Sequence, residues 1–189
     1  KTMRQLWWVK FFTWYSLPLM WQYYSLSMAR HGFGASQPGV EAFEEGIKFG
    51  NLGFSVFSGA CLVFSMFIPA LSKMVGNRTT HAICLSIGAL GFMAMQLTDS
   101  PQILVALMAA VGIAWASIMA MPYVMLAGAV PAKRMGVYMG IFNMFIVVPQ
   151  ILSMLTVPLF YDNLLNSDPR NALFFAGVLL LFAAASNKF

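Results

Sequence analysis

Few residues inside the long apolar runs of this chain could do chemistry. The stretch GIFNMFIVVPQ, residues 140–150, holds two amides, Asn143 and Gln150, in otherwise apolar sequence. Gln22, Asn51, Trp115 and Tyr123 stand in comparable runs, as do Trp14 and Trp21. Amides both donate and accept hydrogen bonds, and indole and phenol groups join an apolar body to a polar tip. Such groups suit non-covalent recognition better than bond cleavage. No Asp or Glu falls inside an apolar run, and His31 and His81 lie at opposite ends of their runs. A nucleophile with base and orienter, or a set of metal ligands, cannot be assembled from these residues. No catalytic residue, metal or cofactor is expected. Cys61 and Cys84 each lie within an apolar run and read as small buried hydrophobes, with no disulfide framework.

The elements that must position those amides are membrane helices. Of 189 residues, 60% are hydrophobic and only 9% charged, and the mean hydropathy is +0.75. A soluble domain carries about a quarter charged residues. Apolar runs long enough to cross about 30 Å of hydrocarbon recur along the chain. Helices are the default there, because unpaired backbone groups are costly in lipid and no run alternates as a barrel strand does. The reading is an all-α membrane protein with spans at about 5–28, 49–72, 80–97, 102–128, 136–160 and 171–187. Residues 29–48, Gly-rich, Pro-broken and acidic, form the one long loop.

Charge orients the set. One side takes Lys1, Arg4, Lys10, Lys73, Arg78, Lys133, Arg134 and Lys188, whereas the other takes only Arg30, Lys48 and Arg170. All six acids, Glu41, Glu44, Glu45, Asp99, Asp162 and Asp168, share the second side. An excess of Lys and Arg in short loops marks the cytoplasm, so both termini are expected there. The bias also accounts for the net charge of +5, and no nucleic-acid partner is needed.

Polar residues are unevenly shared among the spans. Span two sets Asn51, Ser55, Ser58 and Ser65 on one helical face. Span five sets Gly136, Gly140, Asn143 and Gln150 at offsets of 0, 4, 7 and 14. Span one carries Gln22 and several hydroxyls around Pro18, and span four carries Trp115, Ser117 and Tyr123 near Pro122. Spans three and six are nearly bare. Spans one, two, four and five are therefore expected to enclose something polar, with three and six toward lipid. Gly112, Gly136 and Gly140 read as helix-packing positions. The Ser residues of span two either bond their own backbone or face the enclosed space, and the deep amide pair is either interhelical glue or substrate contact. Pro18, Pro122 and Pro149 each remove a backbone donor and mark hinges.

Residues 112–151, GIAWASIMAMPYVMLAGAVPAKRMGVYMGIFNMFIVVPQI, resemble the tenth and eleventh spans of sucrose- and maltose-type sugar:cation symporters. These form the glycoside-pentoside-hexuronide branch of the major facilitator superfamily. Residues 3–23, MRQLWWVKFFTWYSLPLMWQY, resemble the seventh span of bacterial members, and PALSKMVGNR, residues 69–78, resembles the signature loop between spans eight and nine. In that loop Lys73, Gly76 and Arg78 stand at comparable places, with Lys73 where the superfamily has an acid. The resemblance implies that the chain is one six-helix half of a twelve-helix fold, the C-terminal one, with spans seven, eight, ten and eleven lining a central cavity. It implies that Asn143, Gln150, Pro149, Pro122 and Tyr123 frame or contact sugar, and that Lys133 and Arg134 anchor a cytoplasmic loop. Gln22, Asn51, Trp14, Trp21 and Trp115 are added from the residues themselves, since sugar rings offer C–H faces to aromatics and hydroxyls to amides.

The expectation is thus a secondary active transporter in the cell membrane, moving an α-glucoside such as sucrose or maltose by proton symport with alternating access. Its partners would be the sugar, the coupling cation, the bilayer and an N-terminal six-helix half, and the start on Lys1 leads to the expectation of a longer protein. With no acid in these spans, proton coupling falls to that other half. The rival is a six-span structural or interaction protein that dimerises through its glycine faces and transports nothing.

Overall fold

The structure is a computed structural model that describes residues 2–35 and 37–187. Among them there are helices and connections and no strand. The long helices are α1 (Thr2–Ser27), α2 (Glu41–Ser65), α4 (Asn77–Ala94), α5 (Pro101–Ala127), α6 (Met135–Leu165) and α7 (Pro169–Ser186), and α3 (Ile68–Val75) is short. Pro101 and Pro169 open α5 and α7, where a missing N–H costs nothing. The Asp168 side chain caps α7 by accepting from the Arg170 N–H at 2.8 Å. Gly76, at φ +84°, makes the sharp turn between α3 and α4 that a side chain would strain.

The two boundaries of α2 differ most from the hydropathy reading, and α6 runs on to Leu165. α2 begins at Glu41, inside the expected loop, because helix-forming residues with Glu41 and Glu44 in the first turn carry the helix beyond its apolar part. It ends at Ser65 rather than running to residue 72, since Pro69 lacks an N–H and its ring clashes with the carbonyl four residues back. Among the described residues, five helices are apolar and long enough to cross a membrane. α1, at 26 residues, is long enough but carries Arg4, Lys10 and several Trp and Tyr, which lower its hydropathy. It is nonetheless central, with Leu17, Leu19, Met20 and Tyr24 fully buried.

The long helices follow one another in space as α2, α5, α4, α7, α1 and α6, and α1 also touches α2 and α5. α4 and α7, the two spans expected to be bare, pack on each other as well as on α5 and α1. α2 and α6 stand at the two edges and are the least covered. The ends are tied separately. At the acidic end, His31 meets Asp168 at 2.8 Å, Arg30 donates to the Ser167 carbonyl at 2.8 Å, and Arg170 pairs with Asp99. At the other end, the Asn187 amide donates to the Arg78 carbonyl at 2.7 Å, joining α7 to the start of α4.

Candidate functional site

Between α1 and α6 lies a cavity of about 380 Å³ lined by Pro18, Trp21, Gln22, Val147, Gln150, Ile151 and Met154. Gln22 and Gln150, 128 residues apart in sequence, therefore face one space from two helices. Trp21 belongs to the wall, and its ring meets Trp115 of α5 edge-on at 6.2 Å. Trp115 in turn touches Trp14 at 5.9 Å and Phe57 at 5.8 Å, so one aromatic cluster joins α1, α2 and α5 beside the amides. Apolar walls with two amides can hold a ligand that is part ring face and part hydroxyl. They offer nothing to break a covalent bond.

The other expected site residues are not all gathered there. Asn143 lies two turns before Gln150 on α6 and is exposed, and Asn51 is exposed on α2. Tyr123 stacks edge-on with Phe142 at 5.1 Å, in a separate cluster nearer the basic end. Pro122 and Pro149 are buried, and α1, α5 and α6 run unbroken through Pro18, Pro122 and Pro149. The Ser residues of α2 bond their own helix: Ser58 donates to the Phe54 carbonyl at 2.8 Å and Ser65 to that of Leu62 at 2.7 Å.

The three glycines expected to pack helices divide. Gly112 stands against the Phe57 carbonyl and the Ala60 methyl of α2. Gly136 and Gly140 have nothing within 4 Å where a Cβ would sit, so within this chain they pack no helix. Open space lies on that side of α6 within this chain, whereas Gln150, further along the helix, lines the cavity toward α1. Lys73, Gly76, Arg78, Lys133 and Arg134 are all exposed. Gly76 and Arg78 line an open pocket of about 590 Å³ with Thr79, Val124 and Gly128.

Two buried groups escaped the sequence reading. Lys10, counted among the charges of the N-terminal end, is instead 1% exposed and covered by aromatic rings. His81, placed at a membrane edge, is also buried, with Nδ1 2.8 Å from the Ser117 hydroxyl of α5. Lys10 sits about five residues inside the first apolar run among Trp and Phe, which was the available signal. Lys1 and Lys188, counted on the same side, lie outside the described residues.

Membrane-length helices with an apolar cavity and two amides between α1 and α6 are an arrangement that suits a membrane carrier. The chain belongs to the Major Facilitator Superfamily, whose family model matches residues 6–187, and it is a membrane transporter of that superfamily. No curated protein matches the chain.

Proposed function

We propose that residues 1–189 form the C-terminal six-helix half of a twelve-helix sugar transporter in the cell membrane, with both ends of this segment in the cytoplasm. The sugar is an α-glucoside such as sucrose or maltose, taken up with a proton by alternating access as the two halves rock. One observation carries the reading: Gln22 and Gln150 face a common cavity beside the Trp21–Trp115 pair. The resemblance of residues 112–151 to sucrose- and maltose-type symporters supports the substrate class. The uncovered edges at α2 and α6 suit the second half as partner.

The test is external pH in de-energised cells expressing the complete gene, on addition of sucrose or maltose. Sugar-dependent alkalinisation is expected. Gln150→Ala should raise the sugar concentration for half-maximal uptake roughly tenfold, the loss of about 1.4 kcal/mol of hydrogen bonding. Unchanged kinetics at equal protein level would remove Gln150 from the site. Labelled sugar entering without a pH change would reassign the coupling ion, and no entry of either sugar would overturn the substrate class.

A further inference from the structure

Lys10 lies eight residues into α1, roughly 12 Å along the helix at 1.5 Å per residue. Its Nζ rests over the rings of Phe142 at 4.6 Å, Tyr123 at 4.9 Å and Trp14 at 5.3 Å, drawn from α6, α5 and α1 itself. Among the described residues it has no hydrogen-bond acceptor, and it has no free surface. The chain alone provides this cover, so it does not depend on another domain. His81 on α4 is also buried, its Nδ1 engaged by Ser117 and its Nε2 without a partner among the described residues. Tyr138 of α6 packs in the same cluster as Tyr123. All six acids of the chain lie toward the other end of the helices, in connections or in the terminal turns of α2 and α6.

An amine in this box has two protonation states that oppose one another. Three ring faces attract the ammonium, while the lack of water and of any acceptor favours the neutral amine. A structural cation of this kind would normally be paired, and ionisable groups kept unpaired within a membrane bundle mark ion and proton paths. A group with no free surface can accept one ligand without rearrangement, and that ligand is a proton.

We propose that Lys10 is a proton-binding site of this transporter, exchanging its proton through the end of the bundle that carries Arg4, Lys133 and Arg134. On release, an N–H bond of the ammonium breaks, the electron pair stays on Nζ, and water takes the proton. Rebinding reverses each step. Two walls of the box come from α5 and α6, so a shift of α6 against α1 uncovers Nζ. The assignment of this proton to sugar coupling rests on the proposed function, whereas the site itself does not.

Two measurements on the complete gene product separate these claims. Trp14 reports the charge above its ring, so tryptophan fluorescence of the purified protein should show a one-proton transition with pH that Trp14→Phe removes. Lys10→Met should abolish it. So should Lys10→Arg, which keeps the cation and its packing while the guanidinium stays protonated. Absence of the transition in the unaltered protein, or its survival in both Lys10 variants, would overturn the site. In vesicles, Lys10→Met should retain sugar exchange at equilibrium and lose sugar-driven proton uptake. Proton uptake that persists there would overturn the coupling role. Failure of the unaltered protein to move any sugar would sink the sugar reading and leave the fluorescence titration to judge Lys10.

Discussion

The small-residue ladders on α5 and α6 look alike in sequence and meet opposite surroundings. On α5, Gly112 admits the α2 backbone so closely that a side chain there would run into the Phe57 carbonyl, and Ala116 is 3% exposed. Further along the same face of α2, Gly53 takes the Tyr24 ring and Gly50 the Ser25 side chain. On α6, open space faces Gly136 and Gly140, although they are spaced as a packing motif. One ladder closes a seam within the chain, and the other is presented outward near the start of α6. Small residues thus specify that something comes close without specifying what.

Substitution should pull the two ladders apart. Gly112→Leu forces a side chain against backbone that cannot rotate away, and overpacking of this kind costs on the order of 3 kcal/mol or more. The complete gene product should lose most of its folded fraction, read as a monodisperse peak after extraction. Gly136→Leu and Gly140→Leu disturb nothing within residues 1–189, so the fold should hold to within about 0.5 kcal/mol. If the proposed second half covers this face, sugar entry should nevertheless fall in both. A Gly112→Leu protein that melts like the unaltered one would show that the α2–α5 seam is looser than its geometry.

A smaller effect sharpens the contrast at the cavity between α1 and α6. Gln22→Ala and Gln150→Ala should each weaken sugar uptake by roughly tenfold, in line with one hydrogen bond apiece. If one ligand bridges both amides, the double variant should fall short of the product of the two, by a coupling of about 0.5 kcal/mol or more. Strict additivity would mean that the two amides do not share a ligand despite sharing a cavity.

Much of this arrangement could be read from the chain, and the exceptions have physical causes. Apolar run length marks the spans, because hydrocarbon leaves the backbone no partner but itself. The uneven polar load does not translate into four helices around one space. The cavity is lined by α1 and α6, and the nearly bare α4 and α7 are half buried inside the chain. Hydropathy misses the start of α2, since a helix continues wherever local propensity allows and Glu41 favours its N-terminus. It also misplaces Lys10: a charge near a span end reads as loop charge until the rings of Phe142 and Tyr123, more than a hundred residues away, are known to cover it. Which face of α6 meets α1 is likewise a tertiary fact. Gln150 could be joined to Gln22 only once the helices were packed.

The smallest effect concerns two serines that the chain does not distinguish. Ser16 is fully buried and donates to the Ala176 carbonyl of α7 at 2.9 Å, a bond between helices 160 residues apart. Ser58 donates to the Phe54 carbonyl of its own helix at 2.8 Å and is exposed. Removing the Ser16 hydroxyl deletes a contact and leaves a small void where nothing can enter, a loss of about 1 kcal/mol. Removing that of Ser58 deletes a bond to a carbonyl already used by the helix, and the cost should be close to zero. Thermal melting of the two alanine variants in the same detergent reads the difference directly. Equal melting temperatures would mean that the α1–α7 bond adds nothing beyond the packing around it, and that the seam rests on shape alone.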